Sequence, residues 1–237
     1  MDNLVGKTAR ILAHHKIVGV KDAQLFYGGL FCCKQKELDQ MTWTVLHIIG
    51  IIAYAISGAF VALQAKYSFI GIFVLGLTTS YGGSIIRNVV LDIPVSDIWE
   101  RQSLLVVLVT LTTILFVKRN WIHHWNRWGY FFDSIGLASF AIQGGLLAKS
   151  LDHDLGIIII ASMFTGVGGG MIRDLLAGRT PLALREEIHA VLTFVCGLCI
   201  WAGWSSPLEL SVIVIFIVVI RMLSVNNKLK FPLKFLH

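Results

Sequence analysis

The chain has 237 residues, of which 56% are hydrophobic and only 14% charged, and its mean hydropathy is +0.74. A soluble domain carries roughly 25% charged residues, so this composition excludes an ordinary water-soluble domain and favours a polytopic membrane protein. The net charge of +6 lies mostly between apolar runs, where it sets topology and meets lipid instead of forming a nucleic-acid surface.

Residues 1–40 are mixed in charge, lack the apolar core of a signal peptide and share no pattern with the rest of the chain. They read as an N-terminal extension, either an upstream run of the reading frame or a dispensable tail, because Met41 stands directly before the first apolar run. An interfacial amphipathic helix is the alternative. Seven apolar segments come next, at about 44–63, 68–91, 103–118, 130–149, 155–178, 187–204 and 208–224. Most have the length of a membrane helix, and the third is at the lower limit. The connections are too brief to hold a soluble domain.

One string occurs twice. TSYGGSIIRN at 79–88 and TGVGGGMIRD at 165–174 lie 86 residues apart, in the second and fifth segments. The same offset pairs Ile49, Gly50, Ala55, Ile56, Gly58 and Ala62 with Ile135, Gly136, Ala141, Ile142, Gly144 and Ala148, and Glu100 with Glu186, without a gap. The expected units are therefore 41–123 and 124–206, three spans each, with 207–237 as a seventh helix and basic tail. An odd number of spans per copy inverts the second copy in the membrane. The fold class is all-α integral membrane, an inverted 3 + 3 repeat plus one.

Glycine pairs let a helix kink or unwind. Gly82, Gly83 and Ser84, with Gly168, Gly169 and Gly170, are expected to kink helices two and five and to turn backbone dipoles toward a permeation path. Close helix packing is the plainer reading of the same glycines. Arg87–Asn88 and Arg173–Asp174 come after them, as gating groups, charge pairs or locks between the two halves. Only the second copy keeps an acid beside its arginine, so the gate or site is expected there first. Thr79, Thr165, Ser57, Gln143 and Asp133 are candidates to line a polar path, though membrane hydroxyls and amides more often bond neighbouring backbone. His47 occupies in the first span the place of Asp133 in the fourth.

Other features carry little. Cys196 and Cys199 sit one turn apart in an apolar run and read as packing residues, and Cys32–Cys33 implies no disulfide. WIHHWNRW at 121–128 reads as an interfacial aromatic belt. GVGGG at 166–170 lacks the closing Lys-Ser/Thr of a phosphate loop. No metal-ligand spacing and no nucleophile–base set suggests an enzyme, a cofactor or a metal. Connections after segments one, three, five and seven hold Lys66, Lys118, Arg119, Arg127, Arg179, Arg185, Lys228, Lys230 and Lys234, nine cations against four (Lys34, Lys36, Arg101, Lys149) on the other side. That asymmetry places the N-terminus outside and the C-terminus in the cytoplasm.

GLTTSYGGSIIRNVVLDIPV and SMFTGVGGGMIRDLLAGRTPL, in this plan of spans, resemble the prokaryotic relatives of trimeric intracellular cation (TRIC) channels, a family also described as glycine transporters. The resemblance covers residues 41 to about 225. It implies a homotrimer in the prokaryotic inner membrane, each subunit conducting monovalent cations, chiefly potassium, past the glycines of helices two and five, with no cofactor. Ser84 and Asn88 stand where the family's first copy usually has Gly and Asp, and His47 replaces an acid, which weakens cation attraction at that copy. The alternative function is a secondary transporter of glycine or another small zwitterion, with broken-helix ends and an arginine holding the carboxylate. A third reading is a structural membrane protein whose glycines only allow packing.

Overall fold

The computed structural model describes residues 41–116 and 126–227. Contacts divide the chain into Met1–Thr42 and Trp43–His237, and all but the first two of the described residues belong to the second unit. Residues 1–40, the paired histidines of the Trp-rich connection and the lysines of the C-terminal tail lie outside the described residues.

Every regular element among the described residues is helical. In chain order these are α1 (Met41–Gln64), α2 (Phe69–Val90), a 3₁₀ turn (Val95–Ile98), α3 (Arg101–Leu115), α4 (Asn126–Ser150), α5 (Leu155–Leu176), α6 (Leu182–Arg185), α7 (Ile188–Trp201) and α8 (Pro207–Asn227). Five of them, α1, α2, α4, α5 and α8, are long and apolar enough to cross a membrane. The segments expected as spans three and six form the shorter apolar helices α3 and α7, of 15 and 14 residues. At 1.5 Å per residue each covers about 22 Å, short of the roughly 30 Å hydrocarbon layer. Each begins within two residues of its expected start, at Arg101 and Ile188.

The 86-residue offset extends to the backbone. Lys66 and Asp152 share a left-handed conformation, with φ of 57° and 56°, and Asp92 and Gly178 do likewise at 55° and 69°. At these helix ends the bond Tyr67 N–H to Ala62 O recurs as His153 N–H to Ala148 O, and Ile93 N–H to Asn88 O recurs as Arg179 N–H to Asp174 O. Each is the long bond of a helix-terminating motif that satisfies carbonyls the helix leaves unpaired.

Packing between the halves is reciprocal. Gly50 abuts Phe140 and Gly136 abuts Tyr54, and within each half Gly58 abuts Thr79 as Gly144 abuts Thr165. The rings of Tyr54 and Phe140, themselves 86 positions apart, stack at 5.2 Å and 11°. One apolar cluster gathers α1, α2 and α3 with Phe140 of α4, and the other gathers α4, α5, α7 and α8 with Leu46 of α1. Leu208, Val212, Ile215 and Val219 on α8 are exposed, while Arg87, Asp133, Gln143, Arg173 and Asp174 are buried. Apolar residues outside and charges inside reverse the order of a soluble domain, as a lipid-facing surface requires.

Candidate functional site

The doubled glycines lie where α2 crosses α5. A β-carbon on Gly83 would strike the carbonyl oxygen of Thr165, and one on Gly169 would strike that of Thr79. Gly82 meets Ile172 as Gly168 meets Ile86. Backbone thus lies against backbone, a contact that only glycine permits. The helical interruption expected here does not occur. Both helices run unbroken through the strings, and no residue of either string has positive φ. The glycines give close approach within continuous helices. The threonines agree: Thr79 Oγ1 donates to Leu75 O of its own helix at 2.5 Å, and Thr165 is fully buried against Gly144.

One helical turn beyond the crossing, the second copy builds a buried ion network. Arg173, at 2% exposure, donates through Nη1 to Asp133 Oδ1 and to Ser57 Oγ, each at 2.5 Å, and through Nε to Asp174 Oδ1 at 2.9 Å. The second oxygen of Asp133 accepts from Arg221 Nη2 of α8 at 2.7 Å. Arg221 also donates to His189 Nε2, which leaves the ring proton on Nδ1, facing Glu186 O at 3.2 Å. Asp174 Oδ1 accepts from Arg179 Nε and Nη2 at 3.0 and 2.9 Å, and its Oδ2 accepts from Leu182 N–H at 3.0 Å. Three guanidiniums share two carboxylates whose four oxygens are all engaged. Arg221 Nη1 has no partner among the described residues; the pairing of the remaining donors and acceptors is what buried ions require.

The equivalent place in the first copy is built differently. Arg87 donates Nε and Nη2 to Asn88 Oδ1 at 3.1 and 2.9 Å, and Asn88 Nδ2 donates to Pro94 O at 2.9 Å. Arg87 Nη1 has no partner among the described residues, and neither do the buried hydroxyls of Ser84 and Tyr81. His47, in the position equivalent to Asp133, meets Gln143 Oε1 through Nδ1 at 3.0 Å. Gln143 Nε2 in turn donates to Ser139 O at 3.2 Å. Arg173 has two acids; Arg87 has none among the described residues.

A cavity of about 180 Å³ opens beside the second network, between the end of α1, the start of α4 and the α5–α6 connection. Ser57, Tyr130, Asp133, Arg173, Arg179 and Arg185 line it. A second void of about 10 Å³, room for about one water, borders the same Asp133 and Arg173 and reaches Tyr54 and Gly170. Tyr54 Oη donates to Gly166 O at this point. Among the path candidates, Ser57 and Asp133 therefore border a void, while Thr79 and Thr165 border neither.

Arg221, His189, Arg179 and Tyr54 are among the network and void residues that the sequence pattern does not single out as site residues. Arg221 had a signal, since an ionisable residue inside a span marks a site by default. Cys196 and Cys199 are free thiols, and no metal-binding cluster occurs among the described residues.

The family model described as Glycine transporter matches this chain twice, at residues 44–119 and 130–205, starts that lie 86 residues apart. The UPF0126 membrane protein YvgT of Bacillus subtilis (strain 168) is 43% identical over 194 residues, covering 81% of this chain and 96% of that protein. A crystal structure of a prokaryotic TRIC channel in 0.5 M KCl matches with a TM-score of 0.71 at 28% identity, over 80% of this chain and 98% of the other. A structure of conductance through TRIC cation channels matches with a TM-score of 0.66 at 30% identity, over 80% of this chain and 95% of the other.

Proposed function

Because this chain belongs to the glycine transporter family, we propose that it conducts monovalent cations, chiefly potassium, across the inner membrane of a prokaryotic cell. The reading gives a homotrimer with one path in each subunit. α3 and α7 complete seven spans as an inverted 3 + 3 + 1 plan over 41–123, 124–206 and 207–237, with the N-terminus outside and the C-terminus cytoplasmic. Residues 1–40 are dispensable in it. Support comes from solved proteins of the same fold, which are described as cation channels.

The observation that carries the reading is the polar trail inside one subunit. It passes from the open cavity at Arg185, by Asp133 and Arg173, to the one-water void at Tyr54 and Gly170. The α2–α5 crossing lies next, and beyond it Ser84, Arg87 and Gln143 stand buried with unmet or neutral partners. A cation meets Arg173 as a neutralised charge and Arg87 as a bare one. Arg87 is therefore the electrostatic barrier, and its displacement is the gate. This moves the gate from the second copy, where the sequence pattern pointed, to the first.

The second reading, transport of glycine or another small zwitterion, is favoured by the family's description and by the guanidiniums around the cavity. Purified protein in liposomes separates the two. A potassium gradient should drive flux faster than a carrier turns over, and Arg87→Gln should raise that flux several-fold. Saturable glycine uptake with no ionic current would overturn the channel reading.

A further inference from the structure

Asp133 and Ser57, which accept from Arg173, correspond at the 86-residue offset to His47 and Gln143, as Arg173 corresponds to Arg87. In the first copy these two side chains bond to each other, His47 Nδ1 to Gln143 Oε1 at 3.0 Å. The tautomer follows from the next bond along. Gln143 Nε2 donates to the Ser139 carbonyl at 3.2 Å, so the amide oxygen must face His47 and the ring proton must lie on Nδ1. Nε2 then keeps the lone pair on which a further proton arrives. Taking it up leaves the bond to Gln143 intact, since Nδ1 donates in both forms. Protonation therefore changes charge alone. His189 of the second copy differs, because Arg221 already donates to its Nε2.

His47 is half-buried. From α4 it meets Gln143 and the Phe140 ring, 6.3 Å away, and neither titrates. Two charged groups lie within electrostatic reach of it among the described residues, Arg87 of α2 and Glu100 at the head of α3. Glu100 is exposed, where water and salt screen its charge. Arg87 is buried, with Nη1 unpartnered among the described residues, so its charge is screened less. Imidazole is the side chain whose ordinary titration falls between about pH 5 and 8.

We propose that His47 is a proton-binding site that sets the height of the barrier at Arg87. With His47 neutral, an arriving cation meets the charge of Arg87 alone. With Nε2 protonated it meets two like charges close together, and flux falls. The proton comes from the side of the membrane on which α1 begins. The inference rests on the reading of Arg87 as the barrier, and gives that barrier a control by pH.

Potassium flux through the full chain in liposomes, at about pH 8 and about pH 5, tests it across the imidazole range. Wild-type flux should fall about fivefold or more on acidification. His47→Gln, which cannot take a proton, should give the same flux at both. A wild type indifferent to pH, or a His47→Gln protein that loses flux as the wild type does, overturns the proposal. A second measurement needs no flux. Over the same interval the wild type should lose more of its unfolding temperature in detergent than His47→Gln, because only the wild type brings a second positive charge to buried Arg87. Equal losses overturn the coupling between the two residues. Absence of potassium flux at about pH 8 would sink the channel reading, while the unfolding comparison would still decide on His47.

Discussion

Arg87 and Arg173 are the same residue of the same repeated string, yet their neighbours assign them different work. Removing Arg173 would leave Asp133 with Arg221 and Asp174 with Arg179, two acids on two guanidiniums. Removing the charge of Asp133 would leave Arg221 buried beside His189 with no acid, and Arg173 with Asp174 and the neutral Ser57. Stripping one partner from a buried pair costs about 3–5 kcal/mol, so Asp133→Asn should destabilise the protein far more than Arg173→Gln. The converse change is His47→Asp, which puts an acid in the first copy where Asp133 stands in the second. It should raise the unfolding temperature in detergent as Asp133→Asn lowers it. Equal unfolding temperatures for Asp133→Asn and Arg173→Gln would show that the network is not shared as its bonds imply. The sequence displayed Arg173, Asp174 and Asp133 as candidates because each breaks an apolar run. It hid their partnership, since Asp133 meets Arg173 across 40 positions and Arg221 across 88, and no local pattern encodes such a meeting.

At the level of helices, hydropathy located all seven apolar elements to within a few residues, because burial in lipid demands a continuous apolar run. What the glycines do there was not legible. Two adjacent glycines loosen a helix locally, and the same pair lets a second helix come close; only the facing helix decides between them. Here it decides for packing. A β-carbon at Gly83 or Gly169 would hit a main-chain carbonyl of the opposite helix, which cannot rotate away as a side chain would. At Gly170 the nearest atoms would be Asp133 Oδ1 at 3.5 Å and Arg173 Nη2 at 3.7 Å, ordinary contacts. Gly83→Ala and Gly169→Ala should therefore each cost overpacking of about 1–3 kcal/mol or more and lower the yield of folded protein. Gly170→Ala should fold and change flux alone, since it narrows the void beside Tyr54. Gly156→Ala, with nothing within 4 Å, should behave as wild type in size-exclusion chromatography and unfolding. If Gly83→Ala matched it, close approach would not be the reason for the motif.

For the molecule as a whole, the reciprocal contacts have a consequence for which side of the membrane each turn faces. When Gly50 meets Phe140 as Gly136 meets Tyr54, the halves are exchanged by a two-fold rotation. On the proposed plan of three spans per half, that axis lies in the membrane plane. Equivalent turns must then emerge on opposite sides. Lys66 and Asp152 are such a pair: both are exposed, both close a helix with left-handed φ, and they lie 86 positions apart. The proposed orientation, taken from the cation count, has Lys66 in the cytoplasm. In a background with the four native cysteines replaced, Asp152→Cys should react with a membrane-impermeant thiol reagent in intact cells. Lys66→Cys should react only after the membrane is opened. The reverse pattern would keep the inverted repeat and turn the molecule over. Labelling of both from one side would remove the inversion, and with it a path that enters between the same helices from either face.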